Sequence, residues 1–116
     1  MKKTIALMTL VSSLLFAKGI NDILEDRIEN ELVLKNVIQV SNYRVDYDVD
    51  IYGNQMNLEV EFDGMNEPKL DYNNIALKAV EASRSVAPDI DDIYVVIKFD
   101  PMVGEDKILF SKTYSK

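Results

Sequence analysis

Cysteine, histidine and tryptophan are all absent from the 116 residues, which hold only 4 glycines and 3 prolines. Without cysteine the chain has no disulfide, no thiol nucleophile, no thiolate metal site and no lipid-modified residue behind an export leader. Without histidine it lacks the commonest general base and the commonest transition-metal ligand, so Ser-His-Asp hydrolysis is excluded within the chain. Glycine-rich phosphate loops and the Ser-x-x-Lys and Gly-x-Ser-x-Gly patterns are missing as well. These absences point to a protein that is not an enzyme. Scarce Gly and Pro alongside 47% hydrophobic residues argue for a folded chain, and the length allows one domain at most.

Basic charge is also short, with 13 Lys and Arg against 20 Asp and Glu. Two of the basic residues, Lys2 and Lys3, open an apolar stretch from Thr4 to Phe16 that ends at the small Ala17. That is the pattern of a secretory signal peptide over residues 1–17, too short for the roughly 20 apolar residues of a membrane span. The expectation is a periplasmic or secreted domain over residues 18–116 with no stable membrane association. Taking Lys2 and Lys3 from 13 leaves 11 basic residues against 20 acidic, a net charge of −9. Such a balance disfavours nucleic acid and suits a cationic partner or metal ions, as well as simple solubility.

The most informative stretch is Tyr43 to Asp63. Tyr43, Val45, Tyr47, Val49 and Ile51 alternate with Arg44, Asp46, Asp48 and Asp50, and beyond Gly53-Asn54 the apolar Met56, Leu58, Val60 and Phe62 alternate with Asn57, Glu59, Glu61 and Asp63. Period two describes half-buried antiparallel strands, and Gly-Asn between them predicts a two-residue type II′ hairpin turn. The turn sets the register: Ile51 faces Met56, Val49 faces Leu58, Tyr47 faces Val60 and Val45 faces Phe62. On the other face it opposes Asp48 to Glu59, Asp46 to Glu61 and Arg44 to Asp63. A slip of one residue would turn every carboxylate into the core.

Upstream, Ile20, Ile23, Leu24, Ile28 and Leu32 predict a helix over 20–36, with Asp22 and Glu25 as a capping box. Val37 to Ser41 leads into the hairpin, and the first strand is expected to reach back towards Val37. Downstream, Asp71 caps a second helix over 72–87 that Pro88 stops, with Ile75, Ala79, Ala82 and Val86 as its buried stripe. Strands follow at Ile93–Asp100 and Lys107–Tyr114. The expected fold is α+β in the order αββαββ: a four-stranded, mostly antiparallel sheet with both helices on one face. This order resembles that of small bacterial periplasmic modules of the PepSY or inhibitor type, a likeness of layout that transfers no residue.

The open face gathers the candidate site: Arg44, Asp46, Asp48, Asp50, Glu59, Glu61 and Asp63, with Tyr94 beside them. Opposed like charges on a sheet are destabilising, so hydration, a cationic protein or peptide, or bound Ca²⁺ is expected to compensate them. Arg44 is placed to neutralise Asp63. A free sheet edge offers a second docking mode, strand addition. For Ca²⁺ the ligands would be Asp46, Asp48, Glu59 and Glu61. Asp46-x-Asp48-x-Asp50 begins like an EF-hand loop, but Ile51 and Asn57 stand where Gly and Glu are required. A row of similarly solvated carboxylates gives no reason for their pKa values to separate, which also sets glycoside hydrolysis aside.

Overall fold

The computed structural model describes residues 13–35, 40 and 42–116, with residues 13–20 as backbone only. The leader read over 1–17 lies mainly outside them, as does the lead-in at 37–39 and 41. Helix α1 spans Ser13–Leu34, followed by β1 (Arg44–Tyr52), β2 (Gln55–Gly64), α2 (Tyr72–Val86), β3 (Asp92–Pro101) and β4 (Lys107–Ser115). No helix among the described residues is long and apolar enough to cross a membrane.

The first hairpin adopts the register its alternation dictates, from Tyr52 opposite Gln55 to Arg44 opposite Asp63. Gly53 holds φ at +63°, the left-handed value its turn position needs. Asn54 then anchors the turn to the start of β3, its carbonyl accepting from the Asp91 N–H at 2.8 Å.

The expectation of a mostly antiparallel sheet is corrected at its centre. The strand order is β1-β2-β3-β4, and β2 pairs with β3 in parallel, between two antiparallel hairpins. The intervening α2 explains this: a helical crossover that packs back on the sheet returns the chain to the same end, so the next strand runs the same way. Leu109 is an extra residue in β4, since Ile97 faces Phe110 while Lys98 faces Ile108. This bulge lets Leu109 and Phe110 both pack on the core and leaves Ile108 exposed.

One apolar core fills the space between the sheet and both helices. Met56, Leu58, Val60 and Phe62 from β2 and Ile93, Val95, Ile97 and Phe99 from β3 meet Ile28 and Leu32 of α1 and Ala76, Ala79 and Val80 of α2. Two helix readings change. Helix α1 runs straight through Asp22, so no capping box forms there, and Ile23 is 57% exposed. On α2 the buried stripe is Ala76, Ala79, Val80 and Ser83, one position on from the expected one. Ser83 disguised it: the hydroxyl is buried because it donates to the Ala79 carbonyl at 2.8 Å, which removes the cost of hiding a polar group. The N-cap is as expected, with Asp71 Oδ1 accepting from the Asn74 N–H at 3.1 Å.

Tyr43 closes the far end of this core, its ring edge-on to Phe62 and Phe99 with centroids at 6.2 and 6.5 Å. Gly64 lies against that ring, and a Cβ added there would sit 2.7 Å from Tyr43 Cδ1. Gly64→Ala is therefore expected to cost about 1–3 kcal/mol through overpacking. Urea unfolding checks this, and an unchanged midpoint would show that Tyr43 yields freely.

Candidate functional site

The sheet face opposite the helices has no described element over it, and the pairings arrange its side chains in rows across the strands. One row reads Asp50, Asn57, Tyr94 and Thr113, and the next Asp48, Glu59, Val96 and Ser111. The third reads Asp46, Glu61, Lys98 and Ile108; the fourth begins Arg44, Asp63 and Asp100. All eight residues singled out from the sequence stand on this face, but they divide into two groups.

The first group surrounds Tyr94, which is 42% exposed. A shallow depression of about 140 Å³ is lined by Asp48, Asp50, Asn57, Glu59, Tyr94 and Val96. It adjoins a second of about 330 Å³ reached past Tyr52, Gln55, Asp92 and Thr113, with Asn57 and Tyr94 shared by both. Together they make an open trough with an aromatic floor and carboxylates along the rim. Open troughs suit side chains and extended segments, whereas small-molecule pockets enclose their ligands. Lys98 Nζ pairs with Glu59 Oε1 at 2.9 Å across the β2–β3 boundary, and this bond, with the glutamate charge, raises the lysine pKa.

The second group lies at the opposite end. Carboxylate oxygens of Asp46, Glu61 and Asp63 come within 4.8 Å of one another, as do those of Glu61, Asp100 and Asp106. Glu61 belongs to both triads. Its pKa is raised, first by burial and then by the charges of Asp63, Asp106, Asp100 and Glu59. Asp100 is raised as well, first by its side-chain interaction with Asp106 and then by burial and the charges of Asp106 and Asp63. Asp63 Oδ1 is buried and, among the described residues, finds no hydrogen-bond partner. Arg44 bonds Asp46 of its own strand at 3.3 Å rather than Asp63 across the ladder.

The four carboxylates expected for Ca²⁺ therefore do not form one set. Asp46 and Glu61 cluster with Asp63, while Glu59 is engaged by Lys98 and Asp48 lines the trough. Asp100 and Asp106 escaped sequence reasoning because only the parallel β2–β3 pairing puts them beside Glu61. Tyr52 and Asp92 were likewise invisible as trough walls. The Asp92 position would have followed had the β3 register been known.

Strand addition at β1 meets an obstacle. The edge N–H groups of Val49 and Ile51 donate to Glu29 Oε2 at 3.1 Å and Glu25 Oε2 at 2.6 Å, so α1 already occupies that edge. Burial, outweighing the Val49 bond and helped by Asp48, Asp26 and Glu25, raises the Glu29 pKa. The β4 edge carries the Leu109 bulge and Lys107 and Lys112, features that discourage pairing.

Glu29 and Glu61 bind a proton more tightly in the folded than in the unfolded chain. Their contribution to stability is thus gained as pH falls through the folded pKa and lost as it rises. The urea midpoint is expected to rise as pH drops from neutrality towards the ordinary glutamate value of 4.5. A steady fall over that range would contradict the burial and crowding of these carboxylates.

No protein-family model matches the chain, and comparison with curated proteins finds no significant match.

Proposed function

We propose that this protein is a non-enzymatic binding module, exported by its N-terminal leader to the periplasm or beyond, that docks a cationic protein or peptide on its open sheet face. The trough around Tyr94 supports the reading best. An arginine or lysine entering it would lie over an aromatic ring, with Asp48 and Asp50 at hand for its charge. Clustered rim carboxylates favour fast, selective encounter with a basic surface. An inhibitor or immunity protein for a basic wall-degrading enzyme fits this chemistry.

The test is titration of the purified protein with a hexa-arginine peptide. Binding is expected to weaken with salt and to be indifferent to chelator. Asp48→Asn with Asp50→Asn should weaken it roughly tenfold, from two rim charges at up to about 1 kcal/mol each. Full binding by that variant would remove the trough from consideration.

The second triad group favours one further reading, a low-affinity Ca²⁺ site. Five carboxylates in two sets that share Glu61, with an unpartnered Asp63 oxygen among them, match the all-oxygen ligands of a hard cation. Binding to the folded state alone would raise the melting temperature. Millimolar Ca²⁺ is expected to raise it beyond NaCl of equal ionic strength, and Asp63→Asn should abolish the excess. Equal effects of the two salts would reduce the cluster to screened charge.

A further inference from the structure

Three apolar side chains stand unusually far into solvent at the end of the sheet that carries the carboxylate triads. Met65 is 73% exposed, Met102 74% and Val103 89%. They come from two loops, β2–α2 and β3–β4, that leave the sheet at the same level because Gly64 and Pro101 are partners in the parallel ladder. The Met102 N–H donates to the Gly64 carbonyl at 3.3 Å, which ties the loops together. Neither loop is slack. Tyr43 and Tyr72 hydroxyls donate to the Asn66 and Pro68 carbonyls, and Lys107 holds Glu67 at 2.7 Å. Asp106 returns against Asp100 in the second loop. The exposure of Met65 and Met102 is thus built into ordered backbone.

Single exposed apolar residues need no explanation, but a group displayed by two pinned loops does. Methionine is flexible and polarisable, and surfaces that receive apolar residues of varied shape use it for that reason. The same end of the sheet carries Asp46, Glu61, Asp63, Asp100 and Asp106, five carboxylates against the basic Arg44, Lys98 and Lys107. An apolar tip flanked by carboxylates is complementary to a segment with apolar residues on one side and basic residues on the other.

We propose that Met65, Met102 and Val103 anchor the apolar side of a cationic amphipathic peptide segment whose basic side lies on the neighbouring carboxylates. The assignment rests on the cationic-docking reading and adds to it a chemical requirement: the partner needs an apolar stripe as well as charge. A lipid surface fits less well, since the flanking carboxylates repel anionic headgroups. A second copy fits less well too, because it would oppose one acidic end to another.

Two labelled Leu/Lys peptides of equal length, composition and charge test this, one with leucines segregated to a helical stripe and one scrambled, alongside hexa-arginine. The segregated peptide is expected to bind roughly tenfold more tightly than the scrambled one. Combining Met65→Ser, Met102→Ser and Val103→Ser should erase that advantage while leaving hexa-arginine binding unchanged. Because all three are exposed, the variant is expected to fold, and its unfolding midpoint checks this. Equal affinity of the two peptides, or an advantage that survives in the variant, overturns the anchor while cationic docking stands. Failure of hexa-arginine and both peptides removes the docking reading itself. Binding to neutral lipid vesicles or self-association, lost in the variant while the peptides stay equal, would assign the patch to a membrane or a second copy instead.

Discussion

Replacing Glu25 and Glu29 together by alanine is expected to destabilise the protein by about 3 kcal/mol and to make it associate. Each carboxylate accepts a backbone N–H from the exposed edge of β1, and hydrogen bonds to charged groups contribute about 1.5–3 kcal/mol. The lower half of that range applies, because burial and the nearby Asp48 oppose the charge on Glu29. The N–H groups of Val49 and Ile51 would then lie open, and an unprotected edge is a template for another strand. In a β1-to-β1 pairing Asp46, Asp48 and Asp50 would face their own copies, so association should strengthen with salt. Urea unfolding and sedimentation velocity at two ionic strengths read both effects. Glutamine at both positions keeps an acceptor oxygen and should cost less. A monomeric alanine variant with unchanged stability would mean that α1 is held by Ile28 and Leu32 alone.

Phe62→Ala should be more damaging still, at about 3–5 kcal/mol. Phe62 is fully buried on the central strand β2, flanked by Phe99 and capped edge-on by Tyr43. Its loss leaves a cavity that the paired strands cannot close and removes the ring on which Tyr43 rests. Domains of this size are stable by about 5–15 kcal/mol, so the variant is expected to be close to unfolding at ambient temperature. Phe62→Leu, which keeps most of the volume, should be much milder. A denaturant midpoint that drops at unchanged slope confirms the reading. A loss below about 1.5 kcal/mol, within the range of tolerated volume-conserving swaps, would show that the core repacks around the gap.

The two helices show where apolar spacing is a weak guide. Ile23 fits the α1 pattern yet is exposed, because Leu24, Ile28 and Leu32 already fill the side that faces the sheet. The same helix presents Glu25 and Glu29 to β1, although acids in a helix ordinarily read as its wet side. On α2, Ser83 sits where a polar residue argued against burial. In each case the deciding partner is remote: a strand edge for the glutamates, the close-packed sheet for the serine stripe. Helical periodicity reports that one side is apolar and says little about what that side meets.

Amino-acid order alone was enough for the β1–β2 hairpin, its turn and its register, and hence for Asp46, Asp48, Asp50, Glu59, Glu61 and Asp63 sharing one face. Those relations involve neighbours in the chain, and any slip would bury carboxylates, so local pattern suffices. The parallel pairing of β2 with β3 was decided by the packing of α2 and the shared apolar core. That pairing put Lys98 on Glu59, brought Asp100 and Asp106 to Glu61, and tied Met102 to Gly64. Alternation is the same for parallel and antiparallel neighbours, so the strand pattern alone does not distinguish the two. The helical crossover does, because α2 packs back on the sheet and returns the chain to the same end.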